Sequence, residues 1–179
     1  MAVQSLILLV EDSADDALLF KRAAQKVYPE AAIHAVEGVE EAIKYLEDVS
    51  EGGNPGKLPP PFCVFVDLAL PKAPGKDLIK WIRAQPQFKK LLIVVLTGTG
   101  QMRDMRDLYR MGANSFLLKT PDAEDLTGAL HEMNSYWIQQ GAVSNSGGHD
   151  TDFFKTTPRN ATQLYRRRGG KRQDPPGKP

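Results

Sequence analysis

Phe62-Cys63-Val64-Phe65-Val66-Asp67-Leu68-Ala69-Leu70-Pro71 is the stretch whose reading decides the fold. Five apolar, β-favouring residues lead straight into one aspartate. Pro59-Pro60-Pro61 stands before the run and Pro71 after it, so the run reads as a strand covered on both faces. Asp67 then falls at the strand's carboxyl end, where open α/β sheets place their sites. A carboxylate does not continue an apolar strand cheaply. One reason for it is a cap or turn after the strand; a sharper reason needs partners elsewhere in the chain.

Four more short apolar runs share this character. Ser5 to Val10, Ala31 to Val36, Leu91 to Leu96 and Ser115 to Leu118 each read as a strand. Between and after them apolar residues recur at helical spacing. Ala17, Phe20, Ala24 and Val27 mark a helix that ends near Val27, with Ser13 as its N-cap and Asp15 and Asp16 in its first turn. Val39, Ala42, Ile43 and Leu46 mark a second helix, and Lys76 to Ala84 a short third with Leu78 and Ile82 inward. Met102, Met105, Leu108 and Met111 mark a fourth, which Gly112 terminates. Leu126, Leu130, Met133 and Trp137 mark the last. Strand and helix alternate five times, which predicts an α/β fold: a five-stranded parallel sheet with helices on both faces. Right-handed crossovers leave few topologies, and the flavodoxin-like order 2-1-3-4-5 fits best.

The chain has 179 residues, room for one domain with a core plus an appendage. No apolar run approaches the roughly 20 residues of a membrane span, so no membrane partner is expected. Leu6 to Val10 is short and runs into Glu11-Asp12, unlike a signal peptide. The single cysteine, Cys63, lies in an apolar strand, which excludes an internal disulfide and fits a cytoplasmic setting. His34, His131 and His149 show no metal-ligand spacing. Charge divides the chain: residues 141–179 carry eight basic and three acidic residues, against fifteen and nineteen in residues 1–140. We therefore expect an acidic domain over 1–140 and a basic, mostly disordered tail over 141–179, with Phe153-Phe154 and Leu164-Tyr165 as its only docking candidates. Ser50 to Pro61 reads as a long loop.

In the 2-1-3-4-5 order, strands one, three, four and five bring their carboxyl ends to one edge. Glu11 and Asp12 end the first, Asp67 the third, Thr97 the fourth and Lys119 the fifth. Each alone has an ordinary reading as a cap, a turn residue or a surface charge; five complementary groups at four neighbouring strand ends ask for a joint one. Three convergent carboxylates repel one another, and one would take up a proton unless a cation intervenes. Hard oxygen ligands suit Mg²⁺, which keeps waters and favours phosphate oxygens. A lysine and a hydroxyl beside such an ion complete a cradle for a phosphoryl group. An aspartate inside the cradle could be the nucleophile.

Residues 5–140 closely resemble the receiver domain of two-component response regulators, the CheY-like fold. The matching residues are Glu11-Asp12, Asp67 with Leu70-Pro71 and Gly75, Thr97-Gly98, and Gly112-Ala113 leading to Phe116 and Lys119. The resemblance implies that Asp67 accepts phosphate from a histidine kinase. It implies that Asp12, Asp67 and the Ala69 backbone carbonyl bind Mg²⁺ with Glu11 supporting, that Thr97 and Lys119 bind phosphoryl oxygens, and that Phe116 is the switch aromatic. It also implies an acceptor with slow autodephosphorylation rather than a turnover enzyme. The long loop before Asp67 and the wording DLALPKAPG are similar to single-domain regulators that serve bacterial phytochromes, so a phytochrome kinase is an expected partner. A second copy of the chain, as a homodimer, could read the switched surface. One departure stands out: the family usually has proline directly after the lysine, and here Thr120 intervenes before Pro121.

Other readings fit less well. A haloacid-dehalogenase-like phosphatase wants a second acid two residues after the aspartate, where Ala69 stands. A flavodoxin needs a hydroxyl- and glycine-rich phosphate loop after strand one, where Glu11-Asp12 would repel the phosphate. A relay intermediate, passing phosphate to a histidine phosphotransfer protein, is an alternative use of the same site. The residues after Gly141 are too few and too poor in core residues for a helix-turn-helix unit. Arg166-Arg167-Arg168 with Lys171-Arg172 could touch nucleic acid or an acidic partner, but a solvated tail is the simpler reading.

Overall fold

The apolar runs become strands, and each helix lays its apolar stripe across them. The computed structural model describes residues 5–50, 59–98 and 102–139. The basic tail with its Phe153-Phe154 and Leu164-Tyr165 pairs lies outside the described residues, as do loop residues 51–58 and Thr99-Gly100. In chain order the elements are β1 Leu6–Val10, α1 Ala14–Val27, β2 Ala32–Val36, α2 Val39–Ser50, β3 Cys63–Asp67 and α3 Gly75–Ala84. A single 3₁₀ turn, Pro86–Phe88, precedes β4 Leu92–Thr97, α4 Met102–Met111, β5 Ser115–Leu118 and α5 Ala123–Gln139. The expected boundaries hold to within a residue or so, and β4 runs on to include Thr97.

The sheet is parallel throughout, in the order β2-β1-β3-β4-β5. β1, β3 and β4 are buried along their whole length, because helices cover both faces. Alternation divides their side chains between two cores. Ile7, Leu9, Phe65 and Val94 meet α1 and α5 through Phe20, Ala24, Leu126 and Leu130. The Phe20 and Phe65 rings lie 4.7 Å apart in this layer. Leu8, Val10, Val66 and Ile93 meet α2, α3 and α4 through Leu46, Leu78, Ile82 and Leu108. A fully buried Phe65 cut to alanine would cost about 3–5 kcal/mol. Cys63 is wholly buried, and burial pushes its thiol well up, so it behaves as a core residue.

The amino end of the sheet is closed by a polar network. α4 stops at Gly112, whose φ of 104° only glycine adopts readily. The Ala113 N–H donates to the Leu108 carbonyl and the Gly112 N–H to the Tyr109 carbonyl, a Schellman ending. Arg83 of α3 then reaches across. Its Nε donates to the Gly112 carbonyl at 2.9 Å and its NH2 group to Asn114 Oδ1 at 2.8 Å. Its NH1 group donates to the Phe88 carbonyl at 3.2 Å. Asn114 Oδ1 also accepts from the Ile93 N–H, and the Asn114 N–H donates back to the Ile93 carbonyl, both at 2.8 Å. This fixes the start of β5 against β4.

Candidate functional site

Register brings the site together. Val10 pairs with Val66, Asp67 with Leu96 and Thr97 with Leu118, so the residues that end these strands stand side by side. Glu11 and Asp67 are 3% and 5% exposed, whereas Asp12 is open to solvent. Asp67 is held by both oxygens: Oδ1 accepts the Ala69 N–H at 3.0 Å, and Oδ2 accepts from Lys119 Nζ at 2.7 Å. Glu11 Oε1 accepts the Ser13 N–H at 3.1 Å, and its Oε2 lies 2.7 Å from Lys119 Nζ.

Gly75 explains why the loop after β3 can fold over the strand end. A Cβ at this position would collide with the Asp67 carbonyl oxygen and press on Val66. The Gly75 N–H donates to the Leu68 carbonyl at 3.3 Å, so α3 begins directly against the acid's own backbone. Across the sheet, the Lys119 N–H donates to the Thr97 carbonyl at 2.8 Å, seating the lysine beside the buried threonine. The peptide bonds among the described residues are trans, Lys119–Thr120 included, and Lys119 reaches the acids with Thr120 after it.

One ligand oxygen each from Glu11, Asp12 and Asp67 lie within 4.8 Å of one another. These are hard donors, and a small divalent cation matches their charge and spacing. Burial pushes the Glu11 carboxyl up, with Lys119 and the Ser13 N–H pulling the other way. Burial would lower Lys119, but its contacts with Asp67, Glu11 and Asp16 outweigh it and hold the ammonium above its ordinary value. The lysine is therefore a fixed positive charge beside acids that outnumber it.

The residues expected at the site are all at this edge. Glu11, Asp12, Asp67 and Lys119 are in one cluster, Thr97 adjoins it, and Ala69 contributes its N–H to Asp67. Phe116 sits on β5, earlier in the chain than Lys119, half-buried, its ring 6.1 Å from that of Tyr109 and edge-on to it. Sequence reasoning took Asp16 only as a first-turn acid; the structure puts its Oδ2 2.9 Å from Lys119 Nζ. The available signal was a helix start directly after the site strand, which points its third residue back over the strand ends.

The geometry agrees with what the chain is similar to. The model of the response regulator receiver domain matches residues 7–131. The probable methanogenesis regulatory protein FilR2 of Methanothrix harundinacea is 32% identical over 133 residues, 74% of this chain and 83% of that protein. Response regulator Rcp1 of Synechocystis is 28% identical over 135 residues, 75% of this chain and 89% of its own. A crystal structure of the Mn²⁺-bound form of response regulator Rcp1 superposes with a TM-score of 0.62 at 26% identity, over 75% of this chain and 95% of that one. The phosphorylated cyanobacterial phytochrome response regulator RcpA shares the fold, with a TM-score of 0.64 at 24% identity over 75% of this chain and 94% of that one. A family model that spans β1 to α5, on a sheet wound in the expected order with its acids at the expected edge, settles the kinship: the chain belongs to the response regulator receiver domains of two-component systems.

Proposed function

We propose that the chain is a single-domain response regulator of the cytoplasm that takes a phosphoryl group onto Asp67 from a histidine kinase, with Mg²⁺ bound by Asp12, Asp67 and the Ala69 carbonyl and supported by Glu11. One observation carries this reading. Asp67 is a buried carboxylate gripped by a backbone N–H on one oxygen and a lysine on the other, within ligand distance of two further acids. A structural acid needs the first two contacts but not the surplus charge. A bound cation would offset that surplus and screen the approach of a phosphoryl donor.

The residues divide the work. An Asp67 oxygen forms the new O–P bond while the bond from phosphorus to the donor's histidine nitrogen breaks and its electron pair leaves with the nitrogen. Lys119 faces the transferred group as a ready positive charge. The Ala69 N–H orients the carboxylate. Thr97 would donate its hydroxyl to a phosphoryl oxygen, drawing its loop inward, and Phe116 would turn into the space released. Such couplings are typically about 1–3 kcal/mol. The similarity to Rcp1 and RcpA makes a phytochrome kinase the first partner to try.

The test is incubation with acetyl phosphate and Mg²⁺, followed by intact mass. One labile phosphoryl group is expected on the full chain and none on Asp67→Asn. Labelling that persists in Asp67→Asn would move the acceptor elsewhere.

A further inference from the structure

The geometry points to Asp16 as a restraint on Lys119 that opposes the phosphorylated form; this rests on Asp67 being the phosphoacceptor. Three carboxylate oxygens crowd Lys119 Nζ, from Asp67 at 2.7 Å, Glu11 at 2.7 Å and Asp16 at 2.9 Å. Two of the ammonium's three protons go to Asp67 and Asp16, and Glu11 Oε2 stands 2.7 Å away on a further side, so a new partner must displace an old one. A phosphoryl group on Asp67 brings such partners.

The three acids differ in what release costs them. The Glu11 and Asp67 side chains are 2% and 7% exposed, so water cannot readily replace the ammonium there. The Asp16 side chain is 47% exposed, and water can take over. Asp16 is therefore the partner that yields. Until it does, it draws the ammonium away from the incoming group and adds a negative charge beside a site that must accept an anion.

The local structure leaves Asp16 free for this task. In a helix start of this kind the acid three residues after the serine cap usually turns back to the cap's own N–H. Here the Ser13 N–H is taken by Glu11 Oε1 at 3.1 Å, while Ser13 Oγ accepts the Asp16 N–H at 3.3 Å. The Asp16 carboxylate is surplus to the cap and reaches over the strand ends to Lys119. A favourable charge in the first turn would not require that reach, since the neighbouring exposed Asp15 supplies the same charge to the helix.

The experiment compares Asp16→Asn with Asp15→Asn in the full chain. Both remove one negative charge from the same helix turn, but only the first touches Lys119. Beryllofluoride with Mg²⁺ serves as the phosphoryl mimic, and Mg²⁺ alone as the cation probe, each followed by the Ala69 and Gly98 amide shifts. Asp16→Asn should tighten beryllofluoride by about threefold to tenfold and weaken Mg²⁺ alone by about twofold to fivefold. Asp15→Asn should change either by less than about twofold. Unchanged or weaker beryllofluoride binding in Asp16→Asn overturns the inference, and so does an equal shift in Asp15→Asn, which would reduce it to bulk charge. A wild type that binds no beryllofluoride in millimolar Mg²⁺ removes the phosphoacceptor reading and this inference with it; a wild type that binds it while Asp16→Asn matches removes this inference alone.

Discussion

Two cations sit at opposite ends of the same pair of strands, and their surroundings differ in one respect. Lys119, at the carboxyl end, is ringed by carboxylates from Glu11, Asp16 and Asp67. Arg83, at the amino end, is ringed by neutral oxygens from Gly112, Phe88 and Asn114. Burial acts on both in the same direction, against the charged form. At Arg83 no acid among the described residues offsets it, and burial pushes the guanidinium down to about 10. At Lys119 the acids reverse it. The amino end is thus a closed staple in which each guanidinium nitrogen meets a neutral acceptor. The carboxyl end is left with more negative charge than its lysine can balance, which suits a site that awaits a cation and a phosphoryl group.

The widest separation between the two ends should come from removing each cation in turn. Arg83→Ala takes three donors from the carbonyls of Gly112 and Phe88 and from Asn114, and should cost about 3 kcal/mol of stability in urea unfolding. Mg²⁺ should recover none of it. Lys119→Ala strips an ammonium from two buried acids and should also destabilise the metal-free protein. There Mg²⁺ should recover most of the loss, because the cation substitutes for the lysine's charge. Equal indifference of both variants to Mg²⁺ would erase the distinction between staple and site.

Gly75→Ala is expected to come next. The new methyl group would meet the Asp67 carbonyl oxygen, which is backbone and cannot swing aside. A loss of about 2 kcal/mol is expected, together with a weaker Mg²⁺ response, since the same backbone carries Asp67 and Ala69. A stability loss with an intact Mg²⁺ response would show that the site tolerates movement of its supporting loop.

Metal alone should give a smaller effect. At about ten times its dissociation constant, Mg²⁺ bound only by the folded state adds about 1.4 kcal/mol, and chelation removes it. Asp12→Ala should abolish most of this gain while leaving metal-free stability nearly unchanged, because Asp12 is exposed. A full Mg²⁺ response in Asp12→Ala would place the cation elsewhere.

The two ends also differ in how far the sequence revealed them. Asp67, Glu11, Asp12, Thr97 and Lys119 each follow an apolar strand, so the alternation that fixes the sheet order also fixes their convergence. Asp16 was legible only as a first-turn acid, because its reach to Lys119 depends on Glu11 occupying the Ser13 N–H, a side-chain choice that spacing does not encode. Arg83 was not legible at all. Within a helical stripe it looks like any exposed basic residue, and its role appears only once Gly112 and Asn114, about thirty residues on, are folded beneath it. Gly75 was legible only through the family pattern, and its contact with the Asp67 carbonyl is a matter of packing. The lesson is physical: strand-end groups inherit their place from topology, while groups that bridge helices inherit it from packing.

The smallest expected effect lies outside both clusters and tests whether pH reports on them or on the sheet edge. His34 is in β2, half-buried, its ring 4.5 Å from that of Tyr45. Burial lowers its pKa from the ordinary 6.5, and nearby Lys21 of α1 adds to the effect. Tyr45 is pushed up to about 12 by burial, so it stays protonated and its hydroxyl donates to the Pro59 carbonyl at 2.8 Å. The sign follows directly. Below pH 6.5 the unfolded chain binds a proton at this histidine before the folded one does, so stability is fully present above 6.5 and falls as pH drops toward the lowered folded value. His34→Gln should remove that slope below pH 6.5 without altering the response to Mg²⁺. Arg83→Ala and Asp12→Ala should each keep it, since neither touches the β2 edge. If the slope survives in His34→Gln but vanishes in Asp12→Ala, the titration belongs to the acidic end of the sheet, and the edge histidine is silent.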